Sequence, residues 1–434
     1  MDNQEQKGKK TAKNRFLMGA LVGALCTVLV AVAILGGLGL YLVRGGSFGA
    51  NDPFAAESSD GKLDFSKMKS KMTMLQELID RYFLYDEDTE QVQEYVYKGL
   101  MAGLDDPYSE YYTVEEFQEM QEDTEGVYSG IGAMLSQNQT TGLCTVVRVF
   151  EGSPAEEAGM KTGDVLYKVE GELVAGESLS VLVSKYIKGE EGSQVTVTVY
   201  RQESDEYVDL TMTRRSIEVP TVEHQMMADQ IGYILITQFD QVTADQFKAA
   251  VDDLESQGMK GLVLDLRSNP GGVLDGAVSI ADYLLPDDLT EYAQGEATTM
   301  ITYTADKNGK GDHYTASDHH SVAVPIAVLV NGNSASASEV LTGALKDYKW
   351  ATVVGTTSYG KGIVQSVIPL ADGSAVKLTI AHYYTPSGFD LHGKGITPDV
   401  TVELDENLRS QASVSLEEDN QVQKAVEVVK ENRG

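Results

Sequence analysis

In the stretch NGNSASASEV, residues 331–340, three serines alternate with alanines, and 25 positions after the middle one Lys361 stands between Gly360 and Gly362. A serine hydroxyl attacks a carbonyl only when a base takes its proton. A lysine held out of water sheds its own proton more readily than its reference pKa of about 10.4 implies, so it can be that base. Lys361 is the one charge in SYGKGIVQS, residues 358–366. Histidine is the commoner partner, but none of the six histidines fits. His313, His319 and His320 share a polar, solvated-looking run with Asp312 and Asp318 at spacings that match no metal-ligand pattern, so no metal is expected there. His224, His382 and His392 lack a triad context. Serine with lysine is the better pairing. A competing reading is structural, because Ser336-Ala-Ser-Glu339 also spells a capping box, and on this stretch alone the cap is favoured.

The elements around these residues decide what they can reach. SVAVPIAVLV reads as a strand ending at Val330, and Ala337, Val340, Leu341, Ala344, Leu345 and Tyr348 recur at helical spacing. The serines therefore sit on a strand-to-helix turn, where the first unpaired helix N–H groups and the positive end of the dipole face any oxyanion. Upstream, IGYILITQF, ADQFKAAVDDLESQG and GLVLDL read as strand, helix and buried strand, which predicts a mostly parallel sheet. RSNPGG follows, and Gly271 and Gly272 allow a close backbone approach at the carboxyl end of a strand, where α/β folds bind ligands. The loop lacks the G-K-[ST] of a phosphate loop.

Before this region the texture is β-rich. Residues 128–135, 144–150, 164–174 and 194–201 read as strands, the last alternating strictly. Gly130, Ile131 and Gly132, the S-P-A-x-x-A-G turn at Ser153–Gly159 and the G-D-x-L at Gly163–Leu166 together resemble a PDZ domain. In such a loop, consecutive N–H groups form a nest for a terminal carboxylate while the neighbouring strand accepts an extended peptide. Earlier still, KMKSKMTMLQELIDRYFL and VQEYVYKGLMAGL carry apolar residues at three- and four-residue spacings, which predicts a helical hairpin.

At the start, residues 16–43 carry no charge between Arg15 and Arg44, longer than the roughly 20 residues a membrane helix needs. Lys7, Lys9, Lys10, Lys13 and Arg15 place the first residues in the cytoplasm and the remainder outside it. The run exceeds the usual apolar core of a cleaved signal peptide, so an uncleaved anchor is expected. The chain's 434 residues call for two or three folded domains, and 42% hydrophobic with 23% charged residues is ordinary for globular protein. A net charge of −32 argues against nucleic acid as a partner. Cys26 and Cys144 suggest no disulfide framework.

LDDPYSEYYT, LDLRSNPGG, NSASASEVLTGALKDY, VGTTSYGKGIVQ, YYTPSG and GKGITPDV together resemble the carboxyl-terminal processing peptidases, the tail-specific serine proteases of family S41. The pattern of charge and composition gives a cytoplasmic tail 1–15, anchor 16–43 and linker 44–62. With the resemblance, which covers nearly the whole chain after the anchor, the expectation is a multidomain chain that continues as a helical region 63–126, PDZ domain 127–216, a crotonase-like (ClpP-related) α/β catalytic domain 217–400, and a C-terminal extension 401–434 with a helix. The resemblance implies Ser336 as nucleophile, Lys361 as general base and Gln365 as the residue orienting that lysine, with oxyanion N–H groups from Gly271 and Ala337. It also implies substrates with free C-termini held by Gly130, Ile131 and Gly132, gating by the PDZ domain, no cofactor, and the dimerisation frequent in the family. The C-terminal helix is expected on the helical region or on a second protomer. Phe389 departs from the family, which often has arginine there. Two alternatives are a catalytically inactive membrane-tethered PDZ adaptor, which should have lost the serine or the lysine, and a small-ester hydrolase, which should show a G-x-S-x-G elbow.

Overall fold

A computed structural model describes residues 63–290, 299–409, 411 and 414–433. The expected tail, anchor and linker lie outside them, as does Cys26. Among the described residues no helix is long and apolar enough to cross a membrane. The chain divides into two units, residues 1–89 and 90–434. In the first, α1 (Phe65–Tyr82) starts at Asp64, whose side chain accepts from the Lys67 N–H at 3.0 Å, and its apolar stripe, including Leu75, Leu78 and Tyr82, is exposed.

The second unit opens with α2 (Thr89–Ala102), a short strand β1 (Glu110–Tyr112) and α3 (Val114–Glu125). Thr113 and Glu116 form a full capping box at the start of α3, and Gly126 closes it in the left-handed conformation.

The PDZ region comprises β2 (Val127–Gly130), β3 (Ala133–Gln137), β4 (Cys144–Val149), α4 (Pro154–Glu157), β5 (Val165–Val169), β6 (Glu172–Leu173), α5 (Leu179–Val181) with a π-helical continuation at Leu182–Ile187, β7 (Gln194–Arg201), β8 (Glu206–Thr213) and β9 (Arg215–Glu218). Strict alternation in β7 puts Val195, Val197 and Val199 wholly inside, and Thr196 and Thr198 outside against Thr211 and Asp209 of β8. The expected single strand over 128–135 is two strands, because the chain turns at Ile131 and Gly132: β2 pairs with β9 and β3 with β4.

The catalytic region holds β10 (Val222–Met227), β11 (Ile231–Ile236), α6 (Thr243–Ser256), β12 (Gly261–Asp265), α7 (Leu274–Leu284), β13 (Met300–Asp306), β14 (His313–Thr315), β15 (Ile326–Val330), α8 (Ala337–Asp347), β16 (Ala351–Gly355), β17 (Ile363–Pro369), β18 (Ala375–Tyr384), β19 (Val400–Thr401) and α9 (Asn420–Glu431). The main sheet runs β10-β11-β12-β15-β16-β19, parallel except between β10 and β11. Every residue of β12 and β15 is buried, as a sheet covered on both faces requires. One cover is α6, α7 and α8. The other is α9, whose Val422, Ala425 and Val429 pack with Val263, Ala327, Leu329 and Val354. The C-terminal helix is thus part of the catalytic core, rather than resting on the helical region or a second protomer. Gly261 makes room for it: a Cβ there would stand 2.3 Å from Val429 Cγ1. A second sheet joins β13, β14, β17 and β18 to β1, which pairs antiparallel with β18.

Candidate active site

Three neighbouring parallel strands, β12, β15 and β16, each end in a loop of the candidate site, and hydrogen bonds lace the loops together. Asn269, fully buried, is the hub of the first pair: its backbone carbonyl accepts from the Ala335 N–H (3.0 Å) and the Ser338 hydroxyl (3.1 Å), and its amide nitrogen donates to the Ile236 carbonyl (2.9 Å). Ser334 donates to the Leu266 carbonyl at 2.8 Å. Of the three serines, Ser334 and Ser338 are therefore buried and spent on backbone carbonyls, whereas Ser336 is half-buried and lines a cavity of about 530 Å³ together with Lys361, Gln365, Gly271, Lys377 and Tyr383.

Ser336 sits just before α8 with φ 55° and ψ −116°, a strained conformation for a residue with a side chain. Half of the capping box forms: the Glu339 carboxylate accepts from the Ser336 N–H at 2.9 Å, but the Glu339 N–H goes to the Ser336 carbonyl at 2.8 Å, so the hydroxyl is not used as a cap. The Glu339 side chain, wholly buried, does more than sequence reasoning assigned it. One oxygen takes the N–H of Ser336 and that of Lys361 (2.8 Å). The other takes the Gly360 N–H (2.7 Å) and the Ser358 hydroxyl (2.5 Å). A single carboxylate thus fixes the serine turn against the lysine loop.

Lys361 is half-buried. Burial pushes its ammonium below the ordinary lysine range and the nearby charge of Lys377 adds to this, while Glu110 and Asp106 oppose it. Its Nζ lies 4.7 Å from the centre of the Tyr108 ring, and the Gln365 amide donates to the Tyr108 carbonyl. The expected direct support of Lys361 by Gln365 is thus replaced by contacts of both with Tyr108. Tyr383, from β18, donates its hydroxyl to the Lys361 carbonyl. Burial holds this phenol well above its usual range, the Glu339 charge reinforcing and the adjacent Ser336 hydroxyl easing the effect, so it stays neutral beside the serine.

The Gly271 N–H donates to Asn269 Oδ1 at 2.8 Å and does not point into the cavity, because the buried amide must satisfy its own oxygen. This corrects the expectation for Gly271 as an oxyanion donor in the arrangement seen. The glycine itself is required: with φ at +97°, a Cβ would fall 2.7 Å from Ser336 Cβ and 2.9 Å from the Ala337 nitrogen. The Ala337 N–H is the first of α8, among those without an intrahelical partner.

In the PDZ region Gly130, Ile131 and Gly132 are buried, and the Tyr128 ring covers Gly130, with Cε2 2.5 Å from where a Cβ would be. Burial pushes the Tyr128 phenol up to about 12, offset in part by hydrogen bonds from the Gly132 and Ala133 N–H groups. The nest thus faces a tyrosine of its own chain.

The histidines have structural roles: His320 stacks on Tyr283 with centroids 3.7 Å apart, His319 pairs with Asp287, and His382 meets His392 edge-on at 5.1 Å. Cys144 is buried, which raises its thiol pKa, and Phe389 is partly exposed under Lys394. Glu339, Asn269, Tyr383 and Tyr108 were missed in sequence. Each lies in a stretch already singled out, Glu339 in S-x-x-E, Asn269 in LDLRSNPGG, Tyr383 in YYTPSG and Tyr108 in LDDPYSEYYT, but nothing in those stretches assigned it a role.

A serine on a strained strand-to-helix turn sharing a cavity with a half-buried lysine, joined to a PDZ domain, defines a serine-type peptidase. The sequence matches peptidase family S41 over residues 230–402 and a PDZ domain over residues 129–212. A carboxy-terminal-processing protease of Bartonella bacilliformis is 36% identical over 321 residues, 73% of this chain and 70% of that one. The carboxy-terminal processing protease CtpB of Bacillus subtilis is 34% identical over 351 residues, 80% of this chain and 70% of its own. A putative S41 protease from Bacteroides fragilis has a TM-score of 0.51 at 19% identity, covering 81% of this chain and 93% of that one, a likeness of fold. The chain belongs to peptidase family S41, among its PDZ-bearing carboxy-terminal processing serine peptidases.

Proposed function

We propose that this is a membrane-anchored, extracytoplasmic endopeptidase that holds protein C-termini in its PDZ loop and cleaves nearby peptide bonds with a Ser336–Lys361 dyad. The observation that carries it is the fate of the three serines: two are tied to carbonyls, and the third opens on the cavity that contains the lysine. Lys361, neutral once it leaves the Tyr108 ring, accepts the Ser336 proton as the oxygen attacks the scissile carbonyl, and returns it to the leaving amine. The Ala337 N–H, at the positive end of α8, faces the oxyanion. Water then releases the acyl group from Ser336.

Residues 16–43 anchor the chain, with the basic residues 7–15 on the cytoplasmic side. The test is mutational. Ser336→Ala and Lys361→Ala each abolish cleavage of an unfolded protein by the purified full-length enzyme, and the double variant is hardly worse than either, because the pair acts as a unit. If Ser336 were only a cap, Ser336→Ala would cost about 0.5–2 kcal/mol of stability and spare proteolysis.

A further inference from the structure

Tyr108 belongs to none of the three loops that build the site, yet it touches the proposed base Lys361 and its neighbour Gln365. Its ring lies under the Lys361 ammonium at 4.7 Å, its carbonyl accepts from the Gln365 amide, and its phenol hydrogen-bonds with Tyr359 of the lysine loop. The turn that carries it is pinned. The Tyr108 N–H and the Ser109 hydroxyl both donate to the Asp106 carboxylate (3.2 and 2.6 Å), the Thr379 N–H donates to the Ser109 hydroxyl (3.2 Å), and Glu110–Tyr112 follow as a strand on β18.

An ammonium over the face of a phenol is attracted by the ring quadrupole, whereas a neutral amine is not. The ring therefore favours Lys361 in its charged form, which is the opposite of what a base needs. We propose that Tyr108 is a positioning residue that parks Lys361, and that the lysine pairs with Ser336 only on leaving the ring. This rests on the reading of Lys361 as the base. The other groups facing Lys361 are Lys377 and Tyr383 of β18, Glu110 of β1, Asp106 of the same turn and Glu339 of α8, and changing the ring leaves all of them in place.

The test is the pH dependence of kcat/KM for the detergent-solubilised full-length enzyme. Compared are Tyr108→Phe and the same substitution with a 3,4,5-trifluorinated ring, which keeps the shape and strips the face of its negative potential. With the ring attraction gone, the lysine loses its proton at lower pH. The acid limb of the fluorinated variant should lie about half a pH unit or more below that of Tyr108→Phe, so that on the limb it retains about threefold more of its plateau activity. Tyr108→Leu should move in the same direction. Coincident limbs for the two ring variants, with Lys361→Ala inactive, overturn the role of Tyr108 alone. An active Lys361→Ala enzyme removes the base, and this proposal with it.

Discussion

Glu339 joins the two proposed catalytic residues through their backbones, since a single oxygen accepts the N–H of Ser336 and the N–H of Lys361. Glutamine has the same shape but only one acceptor oxygen, so in Glu339→Gln one pair of donors would face an NH2 group. Charge-assisted bonds of this kind contribute about 1.5–3 kcal/mol each and leave their donors buried when lost. Glu339→Gln should cost about 2 kcal/mol or more in urea unfolding and lower kcat by two orders of magnitude or more with little change in KM. An enzyme of undiminished kcat would show that the tie is dispensable. Lys377 makes a different kind of prediction. It pairs with Glu110 at 2.7 Å and its charge helps hold Lys361 low. In Lys377→Met the like charge goes and Glu110 is left free to favour protonated Lys361. A base that keeps its proton to higher pH should carry the acid limb of kcat/KM upward by at least a few tenths of a pH unit. A limb that stays in place would mean that Lys361 does not titrate there.

At the scale of elements, α9 is the piece whose position sequence reasoning missed. Its amphipathic pattern was legible, but amphipathicity names a face and not the surface that receives it. What fixes the helix is a long-range pairing: Asp419, its N-cap, accepts from the Gln421 and Val422 N–H groups at 2.9 and 3.1 Å and also from Arg267, at 2.8 Å, which in turn grips Asp265 at the end of β12. Asp419→Ala should therefore remove a cap and one of the partners of Arg267, which keeps Asp265 and Gln421, costing about 1–2 kcal/mol. Because Arg267 opens the loop that carries Gly271, activity should fall as well. A stable but inactive variant, or an active but unstable one, would separate the two roles. The strands β11, β12 and β15 and the helix after Ser336 were legible because their patterns are local and strong. The strand β1 was not: three residues after a helix-stopping turn carry too little pattern, and β18 alone gives them a partner. The site residues readable from sequence were those with a chemical signature, Ser336 and Lys361. Those that position them reach distant backbone groups or a ring face with ordinary side chains, and the pairing is set by the fold rather than by a local pattern. The same holds for Gly271, whose close approach was legible but whose N–H was expected in the cavity when Asn269 takes it.

Across the molecule, α3 lies between the two sites that the proposal couples. Met120, Asp123 and Thr124 line the cavity with Ser336, while Glu122 of the same helix pairs with Lys188, at the end of the π-helical turn of the PDZ domain, at 2.5 Å. Gly126 then closes α3 directly into β2 and the carboxylate loop. A substrate C-terminus entering that loop has to displace the Tyr128 phenol, to which the Gly132 and Ala133 N–H groups are bonded. Two consequences follow for whole substrates. If the nest holds a terminal carboxylate as proposed, amidating the C-terminus of a substrate protein removes the charge it would bind, and charge-assisted bonds worth about 1.5–3 kcal/mol imply a loss of tenfold or more in binding and in kcat/KM. Tyr128→Phe removes the competing oxygen while keeping the ring, so acid-terminated substrates should bind severalfold more tightly and amidated ones should not gain. The full-length enzyme, assayed with a matched pair of acid and amide substrates, gives both numbers in one experiment. Equal rates for acid and amide would refute carboxylate recognition itself. A preserved preference for the acid, unmoved by Tyr128→Phe, would leave recognition standing and show that the phenol does not compete for the nest.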